Sequence, residues 1–472
     1  MSKDDMSQNS NGLMVKLSIM LFLQFWIWGA WYISIPTYLK NTTYTAMGGN
    51  PWYCYSAVPL AAMIAPFFLG LFADRFFNTE KILCFLFALS GFFMLLMPSL
   101  GSINTGTVIN IGTQETPVEA LEVTFMGLTM LKHDYFNWLI LGHTLCYMPT
   151  LALTVSLSFK HLKKGSEQFP LVRLWGTFGW IAAGFAIPLF SYNRINAAGE
   201  SIRIGGEATA GQFHLGGWAC VVLAVFCLFL PKTPAPKKGQ KVNIADLLFL
   251  DVWKEFKRPS FFVFIVCSLL LCIPLQAYYA YLQNQMVATN IQDYTIWKNL
   301  GTWVEAFMMF TMPFFFRKLG VKKMIAIGIF AWAFRYAMFP LATSYGVVSE
   351  GTSQFLHGGF ILIMLGVIVH GFCYDFFFVT GQIYVDQVTD HNSRGQAQSM
   401  LVFFTQGLGM YIGAKVNDAL RAKTFTVDNS SAESLSEWAS FWWPLCIASV
   451  VVLLIFLIAF KHKDKEGLEF SH

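Results

Sequence analysis

The chain has 472 residues, of which 55% are hydrophobic, 17% aromatic and only 12% charged. Soluble domains average about 25% charged residues, so this composition excludes a water-dispersed enzyme and points to a membrane. The net charge of +5 would suit an acidic partner, but the basic residues sit in short loops between apolar runs, which makes them a topology signal and argues against nucleic acid.

Apolar runs long enough to span a bilayer, about 20 residues each, recur along the whole chain. They lie near 14–39, 52–74, 82–100, 135–158, 170–191, 215–231, 260–283, 294–316, 324–345, 357–380, 398–418 and 438–460. They predict an all-α integral membrane protein of about twelve transmembrane helices, because a backbone in lipid must satisfy its own hydrogen bonds and no barrel-type alternation is seen. The first run is too long for a signal peptide and lacks a small-residue cleavage site, so it is expected to stay as the first helix. With the amino terminus inside, 22 of the 32 Lys and Arg residues are cytoplasmic and 7 are outside. The positive-inside rule then places both termini in the cytoplasm.

Near the middle lies PKTPAPKKGQKVNIADLLFLDVWKEFKRPS, residues 231–260, basic and proline-rich at its start. It reads as a cytoplasmic linker between an N-terminal six-helix half, 1–230, and a C-terminal six-helix half, 261–472. Its LLFLDVWKEF stretch suits an interfacial amphipathic helix. Residues 101–134 and 192–214 read as exposed loops by composition. The nine cysteines are scattered through apolar runs without metal-ligand or CxxC spacing, so they imply neither a metal nor disulfides. No cofactor motif, catalytic triad or phosphate-binding loop is visible.

The informative residues are polar ones inside the spans. Two carboxylates lie deep, Glu305 in NLGTWVEAFMMF and Asp375 in HGFCYDFFFVTG. A charge near a bilayer centre costs at least ~2.5 kcal/mol, so each needs a partner or a use. Either each exchanges a proton as water reaches it from one side or the other, or each is permanently paired, for example with Arg335 or Lys415. Arg173, Thr177 and Trp180 share one helix face at i, i+4 and i+7, offering a cation, a hydroxyl and an aromatic plate. The alternative for Arg173 is snorkelling to the interface. Gln276 and Tyr279 lie three apart in PLQAYYAYLQNQ, and His370 lies one turn before Tyr374. Such groups are expensive in lipid unless they line a cavity. On their own these features reach a proton-coupled or ion-coupled transporter.

GLFADR, Gly70 to Arg75, resembles the signature of the major facilitator superfamily, in which glycine allows close helix packing and an Asp/Arg pair latches the cytoplasmic side. That resemblance makes Gly70, Asp74 and Arg75 a cytoplasmic gate; RKLGVKK, Arg317 to Lys323, sits at the equivalent place but lacks the aspartate. FLQFWIWGAW (Phe22 to Trp31), YMPTLAL (Tyr147 to Leu153), VRLWGTFGW (Val172 to Trp180), PFFFRKLGVKKM (Pro313 to Met324) and HGFCYDFF, in this order, look like the bacterial nucleoside/proton symporters. The resemblance implies nucleoside uptake across the bacterial inner membrane, driven by inward proton movement, with a monomer rocking its two halves around a central site.

The same resemblance implies a binding set of Arg173, Thr177, Trp180, Gln276, Tyr279, Thr302, Glu305, His370, Tyr374 and Asp375, with Glu305 and Asp375 coupling the proton. Arg173, Thr177, Gln276, Glu305 and Asp375 match the family's residue types. Trp180 and Tyr374 stand where the nucleoside permease has phenylalanine, Tyr279 where it has asparagine, Thr302 where it has glutamine and His370 where it has tyrosine. These departures bear on substrate range more than on mechanism. Two other readings use the same features: a proton-coupled carrier of a sugar or glycoside, and a membrane receptor that binds without transporting.

Overall fold

The computed structural model describes residues 3–40, 52–68, 77–103, 106–110, 119–195, 199, 201–235, 257–292, 294–349, 351–389 and 394–461. Gly70, Asp74 and Arg75, most of the expected linker including LLFLDVWKEF, and the tail beyond 461 lie outside the described residues. The chain divides into two compact units, Met1–Leu162 with Val172–Val242, and Lys163–Leu171 with Asn243–His472.

The first unit is built from α1 (Lys3–Trp31), α2 (Ile35–Lys40), α3 (Trp52–Phe68), α4 (Thr79–Gly101), α5 (Lys132–His161), α6 (Gly165–Ala186), which belongs to it from Val172 onward, and α7 (Gly211–Cys227). The second contains α8 (Pro259–Ala288), α9 (Tyr294–Ala342), α10 (Gly358–Ile368), α11 (His370–Tyr374), α12 (Thr380–Val388), α13 (Arg394–Val402), α14 (Met410–Thr424) and α15 (Glu437–Ala459). Eight segments are long and apolar enough to cross a membrane, and one of them, Ile296–Tyr345, holds two helices. The break falls at Gly320, whose φ of 68° belongs to the left-handed region that glycine enters without penalty. The shorter apolar helices within α3 and α7 and the more polar run from α13 to α14 bring the described crossings to the expected twelve.

Two runs are not uniform α-helix. Asp375–Val379 between α11 and α12, and Phe403–Gly409 between α13 and α14, are π-helical. In the first, side chains supply donors to the loosened ladder: Trp332 Nε1 donates to the carbonyl of Cys373 at 3.2 Å, and Thr380 Oγ1 to that of Asp375 at 3.2 Å. Single-turn π segments are frequent at functional sites.

Lipid gives no hydrophobic drive for one helix to seek another, so close approach depends on small residues and buried polar contacts. In the first unit, Gly29 of α1 lies where a Cβ would meet Trp180 O at 2.9 Å, and a Cβ on Gly179 of α6 would overlap the Phe22 carbonyl oxygen. Two motifs of the sequence, FLQFWIWGAW and VRLWGTFGW, therefore touch backbone to backbone. The third, YMPTLAL with the Thr154 that follows it, joins the first of these through polar groups. Tyr147 donates to the Gln24 carbonyl at 2.6 Å, Gln24 Nε2 to Thr150 Oγ1 at 3.0 Å, and Thr154 Oγ1 to Gln24 Oε1 at 2.9 Å.

The expectation of exposed loops at 101–134 and 192–214 needs correction. The first carries a three-stranded antiparallel sheet of β1 (Thr107–Asn110), β2 (Glu119–Phe125) and β3 (Leu128–Leu131); the second pairs β4 (Tyr192–Ile195) with β5 (Ser201–Ile204). Met126 and Gly127, at φ 50° and 80°, make the two-residue turn between β2 and β3, the geometry that suits strand twist. Four of these five strands have four residues each, too few to show an alternation in the sequence. The Tyr135 hydroxyl clamps that hairpin to the start of α5 by donating to the carbonyls of Phe125 and Leu128.

Candidate functional site

The first unit presents one group of candidate residues on α6. Arg173 and Thr177 are buried, at 4% and 2% exposure. The Arg173 guanidinium lies 3.8 Å from the centroid of the Phe25 ring and 3.5 Å from Thr177 Oγ1. Phe25 in turn packs on Gly176, where a Cβ would meet its ring at 2.8 Å. Small residues of the GTFG stretch thus let α1 come close, and the aromatic ring this brings up is the plate on which the arginine rests. Trp180 is half-buried and packs edge-on against Trp28 at 5.9 Å and Tyr32 at 6.3 Å. The three predicted residues share a face, as their spacing required. Phe25 lies within FLQFWIWGAW, and only the pairing of the two helices reveals it as the support of Arg173.

The second unit carries the carboxylates. Glu305 lies on α9, four residues after Gly301, where a Cβ would meet both the His370 Cβ and the Val367 carbonyl at 3.0 Å; a Cβ on Gly371 would meet the Val304 carbonyl at 3.0 Å. These two glycines seat α9 against the α10–α11 segment, and their approach brings Glu305 Oε2 to 3.6 Å from His370 Nε2. On the far side of the imidazole, Arg335 Nη2 lies 2.9 Å from His370 Nδ1, while Arg335 Nε donates to the Gly366 carbonyl at 2.9 Å. Tyr278 stacks on the same imidazole at 5.4 Å, and the guanidinium sits over the Tyr278 ring at 4.2 Å.

Asp375 is fully buried and opens the π-helical turn. Gly328 of α9 allows that turn to approach, since a Cβ there would meet Phe377 N at 2.9 Å. Tyr374 is half-buried, with its ring 6.1 Å from His370 and 5.3 Å from Phe378. Thr302 is half-buried one residue after Gly301, and Tyr279 is half-buried, its carbonyl accepting from Lys298 Nζ at 3.2 Å. The structure therefore joins Glu305, His370 and Tyr374 in one run of contacts, with Asp375 next in the chain. Lys415, a possible carboxylate partner by sequence, is exposed on α14.

Gln276 is buried on α8 and is oriented by a residue that sequence reading did not single out. Asn417 Nδ2 donates to the Ile273 carbonyl at 2.8 Å and to Gln276 Oε1 at 2.8 Å. A backbone carbonyl can only accept, so it fixes which end of Asn417 faces inward, and that in turn makes Gln276 present its oxygen to Asn417. The Gln276 amide nitrogen is then the end left to donate to a ligand.

Comparisons with known proteins follow this geometry. The profile of the nucleoside H+ symporter family matches residues 11–104 and 119–465. The putative nucleoside transporter YegT of Escherichia coli is 30% identical over 96% of this chain and 94% of its own length. Among solved structures, the nucleoside transporter NupG matches at a TM-score of 0.62 and 24% identity, covering 96% of this chain and 100% of that one. The major facilitator proton:xylose symporter XylE matches at 0.63 and 13% identity, over 96% and 97% of the two chains. At those identities the structures show the fold alone, which is that of the major facilitator transporters.

Proposed function

The chain belongs to the nucleoside H+ symporter family, and from that premise we propose how its own residues carry out proton-coupled nucleoside uptake across the bacterial inner membrane. The observation that carries the reading is the placement of Glu305, 6% exposed and 3.6 Å from His370, on helices seated by paired glycines. A carboxylate held there is costly as an anion, and a proton arriving from the membrane's acidic side removes that cost.

In this reading Glu305 and Asp375 take up the proton, and Arg173 and the Gln276 amide hydrogen-bond the nucleoside. Trp180 or Tyr374 stacks the base, and Thr177, Tyr279, Thr302 and His370 complete the lining. Neutral amide, hydroxyl and aromatic groups suit a ligand that is rich in hydroxyls and carries no charge. A proton-loaded, substrate-loaded carrier has lost its buried charge and can change the side to which it opens; the empty, ionised carrier resists that change, which couples the two fluxes. Gly70, Asp74 and Arg75 latch the cytoplasmic side. Both termini are cytoplasmic by the distribution of Lys and Arg, and the monomer, in its lipid bilayer, is the working unit.

The test is radiolabelled uridine uptake in cells lacking their own nucleoside carriers, with and without a protonophore. Concentrative uptake that collapses with the proton gradient supports the reading. Absence of nucleoside uptake by inserted protein, with uptake of a sugar instead, would overturn it.

A further inference from the structure

We infer that Arg335 and His370 are positioning residues for Glu305: Arg335 holds His370 as the neutral imidazole that carries its hydrogen on Nε2, and that N–H is aimed at the carboxylate that takes the coupling proton. The inference rests on the proposed role of Glu305 and adds what sets that role up.

A guanidinium has five N–H donors and no acceptor, so its 2.9 Å contact with His370 Nδ1 requires that nitrogen to be the unprotonated one. The single hydrogen of the neutral ring is then on Nε2, the atom 3.6 Å from Glu305 Oε2. A doubly protonated ring would set donor against donor at Nδ1 and lose the Arg335 bond. That separation is slightly longer than a hydrogen bond, so a shift of a few tenths of an ångström makes or releases it.

Arg335 is well placed to impose this choice. It is fully buried, its Nε donates to the Gly366 carbonyl at 2.9 Å, and its guanidinium lies over Tyr278 at 4.2 Å and Trp332 at 5.1 Å. It cannot follow a moving carboxylate. The imidazole is itself clasped by the Tyr278 ring at 5.4 Å and the Tyr374 ring at 6.1 Å, with the Lys298 charge acting on it as well.

The interposed ring has a chemical consequence. A direct Arg–Glu pair buried in the membrane would hold the carboxylate ionised, since breaking such a pair is strongly unfavourable. With a neutral imidazole between them, Glu305 receives a directed N–H and stays able to gain and lose a proton. His370 in this arrangement orients Oε2; it is not the proton carrier.

The experiment compares His370→Gln and His370→Leu with wild type in uridine accumulation across a pH series, with membrane levels of each protein quantified. Glutamine can place an amide N–H near the position of Nε2 and cannot titrate; leucine offers no donor. Because His370 also lines the binding site, KM is read apart from coupling: His370→Gln should raise the KM for uridine yet keep the wild-type pH profile at saturating uridine, and His370→Leu should lose about tenfold or more of the accumulation there, the scale of a lost charge-assisted hydrogen bond. A membrane-inserted His370→Gln whose pH profile changes at saturating uridine would make His370 a proton carrier and overturn the inference. Wild-type-like accumulation by His370→Leu would overturn it too. Nitrogen NMR of the labelled histidine gives a check independent of transport: hydrogen on Nε2 supports the assignment and hydrogen on Nδ1 refutes it. Failure of wild type to accumulate any nucleoside would instead strike the proposed function, and the NMR result would still decide the tautomer.

Discussion

Two buried arginines, one in each unit, look alike in sequence and are held differently. Arg173 lies on the Phe25 ring at 3.8 Å and reaches Thr177 of its own helix at 3.5 Å, the outer limit of a hydrogen bond. Arg335 lies between Tyr278 and Trp332 and makes 2.9 Å bonds to the Gly366 carbonyl and to His370 Nδ1. The described hydrogen bond of Arg173 stays within its own helix, whereas Arg335 is anchored to a backbone carbonyl and an imidazole of a neighbouring helix and is a fixed source of charge there. Under the proposed reading this difference suits a ligand-binding role for the first and a positioning role for the second, although both are arginines within apolar helices.

The strongest loss is expected at Asp375: Asp375→Asn should insert normally and lower the uridine accumulation ratio to about one, because a site that cannot exchange a proton cannot spend the gradient. Full concentrative uptake by that variant would make Asp375 a structural group and leave Glu305 alone with the proton. Gly179→Ala should come next. Its Cβ would overlap the Phe22 carbonyl, so pushing α1 off α6 should cost about 3 kcal/mol, read as a lower melting temperature in detergent together with weakened uridine binding. An unshifted melting temperature would show that α1 and α6 tolerate separation, and the seat of Arg173 on Phe25 would lose its significance.

Arg173→Ala should raise the KM for uridine about tenfold with normal insertion, and Arg173→Lys should recover only part of it, because an ammonium keeps the charge but not the planar stacking on Phe25. Unchanged affinity in Arg173→Ala would remove the distinction between the two arginines. The mildest effect is expected for Thr177→Val, about two- to fivefold in KM; no change would mean that the hydroxyl serves only Arg173.

Much of the fold was legible because lipid imposes a length and a composition on any crossing segment. The predicted run at 260–283 is the helix Pro259–Ala288, and that at 438–460 is Glu437–Ala459. The strands at Thr107–Asn110 and Tyr192–Ile195 were not legible, since each is stable only through its partner across the sheet. The same division runs through the candidate site. Asp375 and Glu305 announced themselves by their cost in an apolar run. Asn417, by contrast, lies 141 positions from Gln276 and has no local signature that would mark it as the residue orienting that amide.

Composition and motif order were enough to show about twelve membrane crossings, a resemblance to nucleoside/proton symporters, and a few ionisable residues where charge is expensive. Those conclusions depend on composition, spacing and transfer free energy, which are properties of residues taken singly or along one helix. It took the packed helices to show that Arg335 faces His370, that Phe25 supports Arg173, and that the chain loosens into a π-helical turn at Asp375. Each of these depends on two helices meeting at a particular glycine or ring, and the donors, acceptors and small residues that set the meeting lie far apart in the chain.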